Sequence, residues 1–124
     1  HESRRRLGGG MRQSGILAAA CLYGLDHNLA RLTDDHAAAA ELATILCTGS
    51  RATVSTPETN IVMIVVPQGT DPGAVERRAA AKGVGVALWD TKRVRAVTHL
   101  DVSITDVAHA GRVLCDVLNE PAGH

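Results

Sequence analysis

The sequence contains no phenylalanine, and Trp89 and Tyr23 are its only aromatic residues. A core must therefore be built from Ala, Val, Leu and Ile, without the large side chains that usually carry much of the burial energy. Such a domain is expected to be marginal alone. Lysine is equally scarce: Lys82 and Lys92 are the only two, the remaining basic residues are arginine, and 13 basic side chains balance 13 acidic ones for a net charge of zero. A phosphate-tracking surface needs a basic excess and usually stacking rings, so the composition speaks against a nucleic-acid partner. Arg4-Arg5-Arg6 is the only basic run, and a solvated edge explains it as readily as a role in binding.

Cys21, Cys47 and Cys115 are odd in number and widely spaced, with no CxxC pair. Neither a disulfide framework nor a zinc site follows; small buried hydrophobes in a reducing compartment are expected. The sequence shows no secretory pattern and no apolar run long enough for a bilayer, which points to a cytoplasmic protein without a membrane partner. It opens His1-Glu2-Ser3 rather than on Met, as though cut from something longer. Nucleophile elbow, Walker loop and dinucleotide fingerprint are all missing, and Ser14 has no identifiable base.

What is present is organised around Leu7-Gly8-Gly9-Gly10-Met11-Arg12-Gln13-Ser14-Gly15, a triple-glycine loop running into an apolar helix. Glycines permit positive φ and close approach. Arg12 and Gln13 fall where the helix begins, and the free N–H groups and dipole there favour an anion. The loop reads as a hinge presenting a fixed guanidinium. The helix, Gln13 to about Asp26, is apolar on every side between Gly15 and Leu25, so it must be covered all round, and a domain of 124 residues can cover only one face. A missing domain or a second subunit is implied.

The rest of the chain, residues 1–124 being one domain's worth, alternates in type. An amphipathic helix is predicted from about Asn28 to Leu46, with Gly49 suited to a left-handed cap. Short and long strands follow at Ala52–Ser55 and Asn60–Val66, the second a continuous apolar run expected to be buried. Asp71-Pro72 opens a helix that Gly83 stops after Lys82. Val84–Leu88 and Arg93–His99 form a hairpin around Asp90-Thr91-Lys92, with Val94, Ala96 and Thr98 on one face and Arg93, Arg95, Val97 and His99 on the other. Ser103 to Asp106 has capping-box spacing before a last helix carrying Val107, Ala110, Leu114 and Leu118. This is an α+β chain: N-terminal helices, then a small mainly antiparallel sheet with helices on one face. The glycine loop and linking helices take residues 1–48 and the α+β subdomain residues 49–124.

Two places offer chemistry. His99 and Asp101 have the spacing of part of a metal triad, but a second histidine would have to fold back, and structural capping of the strand end explains them better. Arg95 lies on a strand between apolar neighbours, where an arginine is costly unless it meets an anion; its fork suits a carboxylate, and an edge position facing water is the alternative.

The glycine-loop stretch through Ala20, then Arg31-Leu32 with Asp35-His36, then Val94-Arg95-Ala96-Val97-Thr98-His99-Leu100-Asp101-Val102-Ser103, closely resembles the C-terminal part of the low-specificity L-threonine aldolases, in the same order over nearly the whole chain. These belong with the β-eliminating lyases, which use pyridoxal 5'-phosphate in the aspartate-aminotransferase-like fold (fold type I), and the resemblance implies its small C-terminal domain. It implies a lyase that cleaves threonine-type β-hydroxy-α-amino acids to glycine and an aldehyde, in threonine catabolism and glycine biosynthesis, with the cofactor as electron sink. It places Arg12 near the cofactor on its phosphate side, close to a subunit interface, and Arg5 where relatives often carry a cofactor-proximal lysine. Arg95 matches the strand arginine that binds the substrate carboxylate; His99 and Asp101 shape the strand end.

In that family the Schiff-base lysine, the aspartate on the pyridine nitrogen and the ring-stacking histidine all precede the glycine loop. Neither Lys82 nor Lys92 has the expected setting. The resemblance thus implies an N-terminal cofactor-binding domain as partner, a homo-oligomer, and no turnover by these 124 residues alone. A non-catalytic amino-acid-binding or interaction module that keeps Arg95 as a carboxylate clamp is the alternative.

Overall fold

Contacts in the computed structural model, which describes residues 2–121, divide the chain into two compact units, His1–Ala30 and Arg31–His124. The first holds helix α1 (Glu2–Arg6), the glycine loop and helix α2 (Gly15–Asn28). Neither helix has a buried residue, and Ile16, Leu17, Leu22, Tyr23 and Leu25 all stand exposed on α2. The apolar character all round α2 is thus left without cover within its own unit. A 3-10 turn, Leu29–Arg31, leads into helix α3 (Leu32–Gly49).

The second unit is the α+β body: α3, strands β1 (Thr53–Val54) and β2 (Ile61–Val65), helix α4 (Pro72–Ala81), strands β3 (Ala87–Leu88) and β4 (Arg93–Val97), and helix α5 (Ile104–Asn119). The sheet order is β1-β2-β4-β3 with every pair antiparallel, so the expected fold class holds. Helix α3 belongs with this body rather than with the linking segment, because its apolar stripe of Ala39, Leu42, Ala43 and Leu46 is buried against sheet and α5. Leu46, Ile64, Leu114 and Leu118 are fully buried, each worth about 1.5–3 kcal/mol over the exposed side chain.

Local signals act as read. Asp71 accepts from the N–H groups of Gly73 and Ala74, Pro72 takes the first helical position, and Gly83 adopts φ +80 beyond α4. Ser103 and Asp106 complete a reciprocal capping box on α5. Gly49 departs from expectation. It is the last residue of α3, without positive φ, and a Cβ there would stand 2.8 Å from Cys115 Sγ. The glycine serves the close crossing of α3 and α5, while Ser50 closes the helix through its N–H and hydroxyl on the Leu46 carbonyl. Gly111 does the same from α5, where a Cβ would lie 2.7 Å from Ile45 Cγ2.

Three further expectations are corrected. The apolar run of β2 is buried on one side only: Val62 and Ile64 are sealed, while Ile61 and Val65 remain exposed, because α3 and α4 cover one face of the sheet, with α5 packed against both helices. The Val84–Leu88 strand shrinks to Ala87–Leu88, whose edge is pinned by Glu76 of α4 accepting from the Leu88 N–H. Cys21 and Cys47 are exposed rather than buried, and only Cys115 is half-buried, where desolvation pushes its thiol pKa up. Among the described residues no helix is long and apolar enough to cross a membrane.

Candidate functional site

The β3–β4 hairpin determines what the open face of the sheet can do. Its turn is locked by Asp90, which accepts from the Lys92 N–H at 2.8 Å and from Arg93 Nε at 2.7 Å, and forms a 2.6 Å ion pair with Arg93 Nη2. The Arg93 side chain first, and the Lys92 N–H after it, hold the Asp90 carboxyl below the ordinary carboxylate range. Trp89 donates its N–H to the Arg93 carbonyl at 3.0 Å, which continues the ladder one residue past Leu88. In that register Trp89 opposes Arg93 and is the diagonal neighbour of Arg95, a separation that an aromatic side chain can bridge.

The Arg95 guanidinium duly lies over the Trp89 ring, 5.1 Å from its centre. Its strand neighbours are Met63 on β2 and Ala87 on β3. Its Nε is sealed from solvent with no hydrogen-bond partner, and among the described residues no carboxylate pairs with it. A buried unpaired donor costs about 1–3 kcal/mol. The ring face returns part of this, but it leaves the in-plane donors unsatisfied. Of the three guanidinium nitrogens only Nε is sealed, so the terminal nitrogens remain open to an incoming acceptor. The other arginine with a sealed, unpartnered Nε, Arg78, is differently placed: its Nη1 pairs with Glu120 at 2.6 Å.

The glycine loop has its own internal order. Gly8 takes φ +75, and Gly9 exchanges hydrogen bonds with Arg4, its N–H donating to the Arg4 carbonyl at 2.8 Å and its carbonyl accepting from Arg4 Nε at 3.2 Å. A Cβ on Gly9 would stand 3.1 Å from Arg4, so position 9 is tight for any side chain; Gly8 is favoured by its positive φ, and Gly10 meets nothing. Arg5 in α1 and Arg12 in the turn before α2 are exposed, and neither guanidinium has a hydrogen-bond or ion-pair partner among the described residues. Arg12 is therefore presented but not fixed. Ser14 makes no side-chain cap, leaving the first turn of α2 without one.

A sequence model of the β-eliminating lyases matches residues 1–68. The chain belongs to the β-eliminating lyase family. It is 41% identical over 110 residues to the probable low-specificity L-threonine aldolase 2 of Arabidopsis thaliana, covering 86% of this chain and 31% of that protein. It is 43% identical over 110 residues to the low specificity L-threonine aldolase of Escherichia coli K12, covering 85% of this chain and 30% of that one. The chain thus spans about three-tenths of the length of the curated relatives it matches. Among solved structures it resembles LysN, the α-aminoadipate aminotransferase of Thermus thermophilus complexed with N-(5'-phosphopyridoxyl)-L-leucine. That likeness has a TM-score of 0.63 at 16% identity, over 82% of this chain and 29% of that one, and it shows the fold.

The residues singled out from sequence divide between the two units: Arg5 and Arg12 in the first, Arg95 in the second. His99 and Asp101 shape the turn into α5, with the Asp101 N–H donating to His99 Nδ1 at 3.3 Å and the Val102 N–H to the His99 carbonyl at 2.8 Å. Lys82 reaches Glu120 at 3.5 Å, and Lys92 occupies the hairpin turn. A cavity of about 270 Å³ between α5, the end of β4 and the Gly83–Val86 segment is lined by neither arginine nor lysine, so the cationic chemistry lies on the open sheet face instead. Trp89 was missed as a site residue. Its signal is the hairpin register, which places positions 89 and 95 on one face once Ala87 is set opposite Arg95.

Proposed function

We propose that the complete protein carrying this chain is a pyridoxal-phosphate-dependent lyase that splits threonine-type β-hydroxy-α-amino acids into glycine and an aldehyde. The observation that supports this most is the unsatisfied Arg95, a sealed Nε beside open terminal nitrogens on an apolar sheet face, in a chain 41% and 43% identical to two threonine aldolases. Pyridoxal phosphate, when bound, supplies the electron sink for cleavage of the Cα–Cβ bond. The residues here suit the anionic ends of such chemistry: Arg12 and Arg5 carry unpaired charge for the phosphate side, and Arg95 offers a planar fork for the amino acid's carboxylate.

The work of Arg95 is orientation. Two parallel hydrogen bonds to a carboxylate fix the plane of the amino acid's C1 and Cα, so that one substituent bond at Cα can be held in the orientation required for cleavage. Its neighbours on this face are apolar: half-buried Met63 opposite it on β2 and exposed Val97 two residues along β4 offer no competing acceptor. Lys82 is engaged by Glu120, and Lys92 sits in a turn, so in our reading neither is the Schiff-base lysine. That group, with an N-terminal cofactor-binding domain, comes from outside these residues, in a cytoplasmic homo-oligomer. These 124 residues alone then bind an amino acid without cleaving it.

The test is aldehyde release from L-threonine by the complete protein with and without pyridoxal phosphate. Cofactor-dependent acetaldehyde and glycine in equal amounts are expected. A cofactor-loaded protein that leaves threonine intact would contradict the lyase and favour the amino-acid-binding module.

A further inference from the structure

The orphaned guanidinium raises a question that its ligand alone does not answer: what holds it still before a carboxylate arrives? Among the described residues Arg95 has no side-chain acceptor and no ion pair, and its guanidinium lies over Trp89. We infer that Trp89 is a positioning residue for Arg95, a flat wall that holds the guanidinium plane so that its edge, and not its face, is offered to a carboxylate. The inference rests on the reading of Arg95 as the carboxylate clamp and adds the residue that presets it.

Three features of the hairpin carry this. The guanidinium carbon sits over the ring, 5.1 Å from its centre, and a cation held against a ring face spends none of its N–H groups on a hydrogen bond there, which leaves them for a carboxylate fork. Trp89 is itself held, by its backbone bond to the Arg93 carbonyl and by the Asp90–Arg93 pair that locks the turn. That same pair removes the neighbouring competitor: Asp90 neutralises Arg93, the other arginine on this face, and is thereby kept from Arg95. Trp89 also stays half exposed, so it is not spent on the hydrophobic core. An aromatic residue there therefore contributes little to packing and much to the orientation of one cation.

Trp89 is the only tryptophan of the 124-residue chain, so the site reports on itself. The full chain, labelled with 15N in its arginine side chains, is titrated with glycine, with acetate and with 2-aminoethanol, which lacks the carboxylate. Arg95 Nε–H is followed by NMR and Trp89 by its emission. In the unmodified chain the Nε–H resonance is expected upfield from the ring current, moving saturably with glycine and acetate but not with 2-aminoethanol, and the tryptophan emission should follow the same curve. Trp89→Ala should abolish the upfield position and weaken glycine binding about two- to fivefold. Trp89→Phe should keep most of both.

The outcomes separate the two ideas. Glycine affinity unchanged in Trp89→Ala overturns the positioning role while leaving the clamp intact. Affinity unchanged in Arg95→Gln, or no saturable response in the unmodified chain, overturns the clamp and the role of Trp89 with it.

Discussion

Arg93 and Arg95 project from the same face of β4, and among the described residues only Arg93 has a carboxylate partner, Asp90 at 2.6 Å. A strand that satisfies one arginine and leaves its neighbour's Nε sealed and unpaired gives up stability at the second position. Arg95→Met fills similar space without the unpaired donor. It should leave urea stability unchanged or raise it by up to about 1 kcal/mol, while abolishing the response to glycine. Loss of about 2 kcal/mol or more would show that Arg95 is structural and that its donors are satisfied in solution.

The α3–α5 crossing should be intolerant of a single methyl group. Gly111→Ala puts a carbon 2.7 Å from Ile45 Cγ2 at the helix crossing and is expected to cost about 1–3 kcal/mol. Ile45→Ala on the same background should recover part of that loss. Urea midpoints of the single and double variants measure it, and additive losses would mean that the two side chains do not meet.

Acid sensitivity has a definite sign. The Ser103 hydroxyl and N–H hold the Asp106 carboxyl below its ordinary value. A depressed folded-state pKa adds stability that is present above the unfolded value, about 3.9, and is lost as pH falls through the lower folded value. Asp106→Ala should therefore be less stable than the unmodified chain at pH 6, and the gap should narrow steadily towards pH 2. Denaturation midpoints across that range check it; a constant gap would assign the loss to helix propensity alone.

These predictions fall on features of unequal legibility. The Asp71 cap, the stop at Gly83 and the Ser103–Asp106 box were readable because each is settled within a few residues of chain. The alternation on β4 was readable for the same reason, and it put Arg95 on the correct face. Gly49 was not, because only the distant Cys115 decides whether a glycine at a helix end caps or yields space. The run on β2 looked buried on both sides since it is apolar on both sides, but only the face under the helices is covered within this unit. Trp89 escaped notice because its partner lies diagonally across a hairpin, and a one-residue slip in register would have sent the ring to the opposite face. Which helix packs on the sheet was equally hidden: the helical pattern of α3 is local, but its company is not.

The central claim, that Arg95 takes the carboxylate of a threonine-type substrate, is tested most directly by steady-state cleavage of L-threonine by the complete, cofactor-loaded protein and its Arg95→Gln variant. Losing a charge-assisted pair should lower kcat/KM by about a hundredfold or more, with KM raised. An Arg95→Gln enzyme that retains the kcat/KM and KM of the unmodified protein would contradict it.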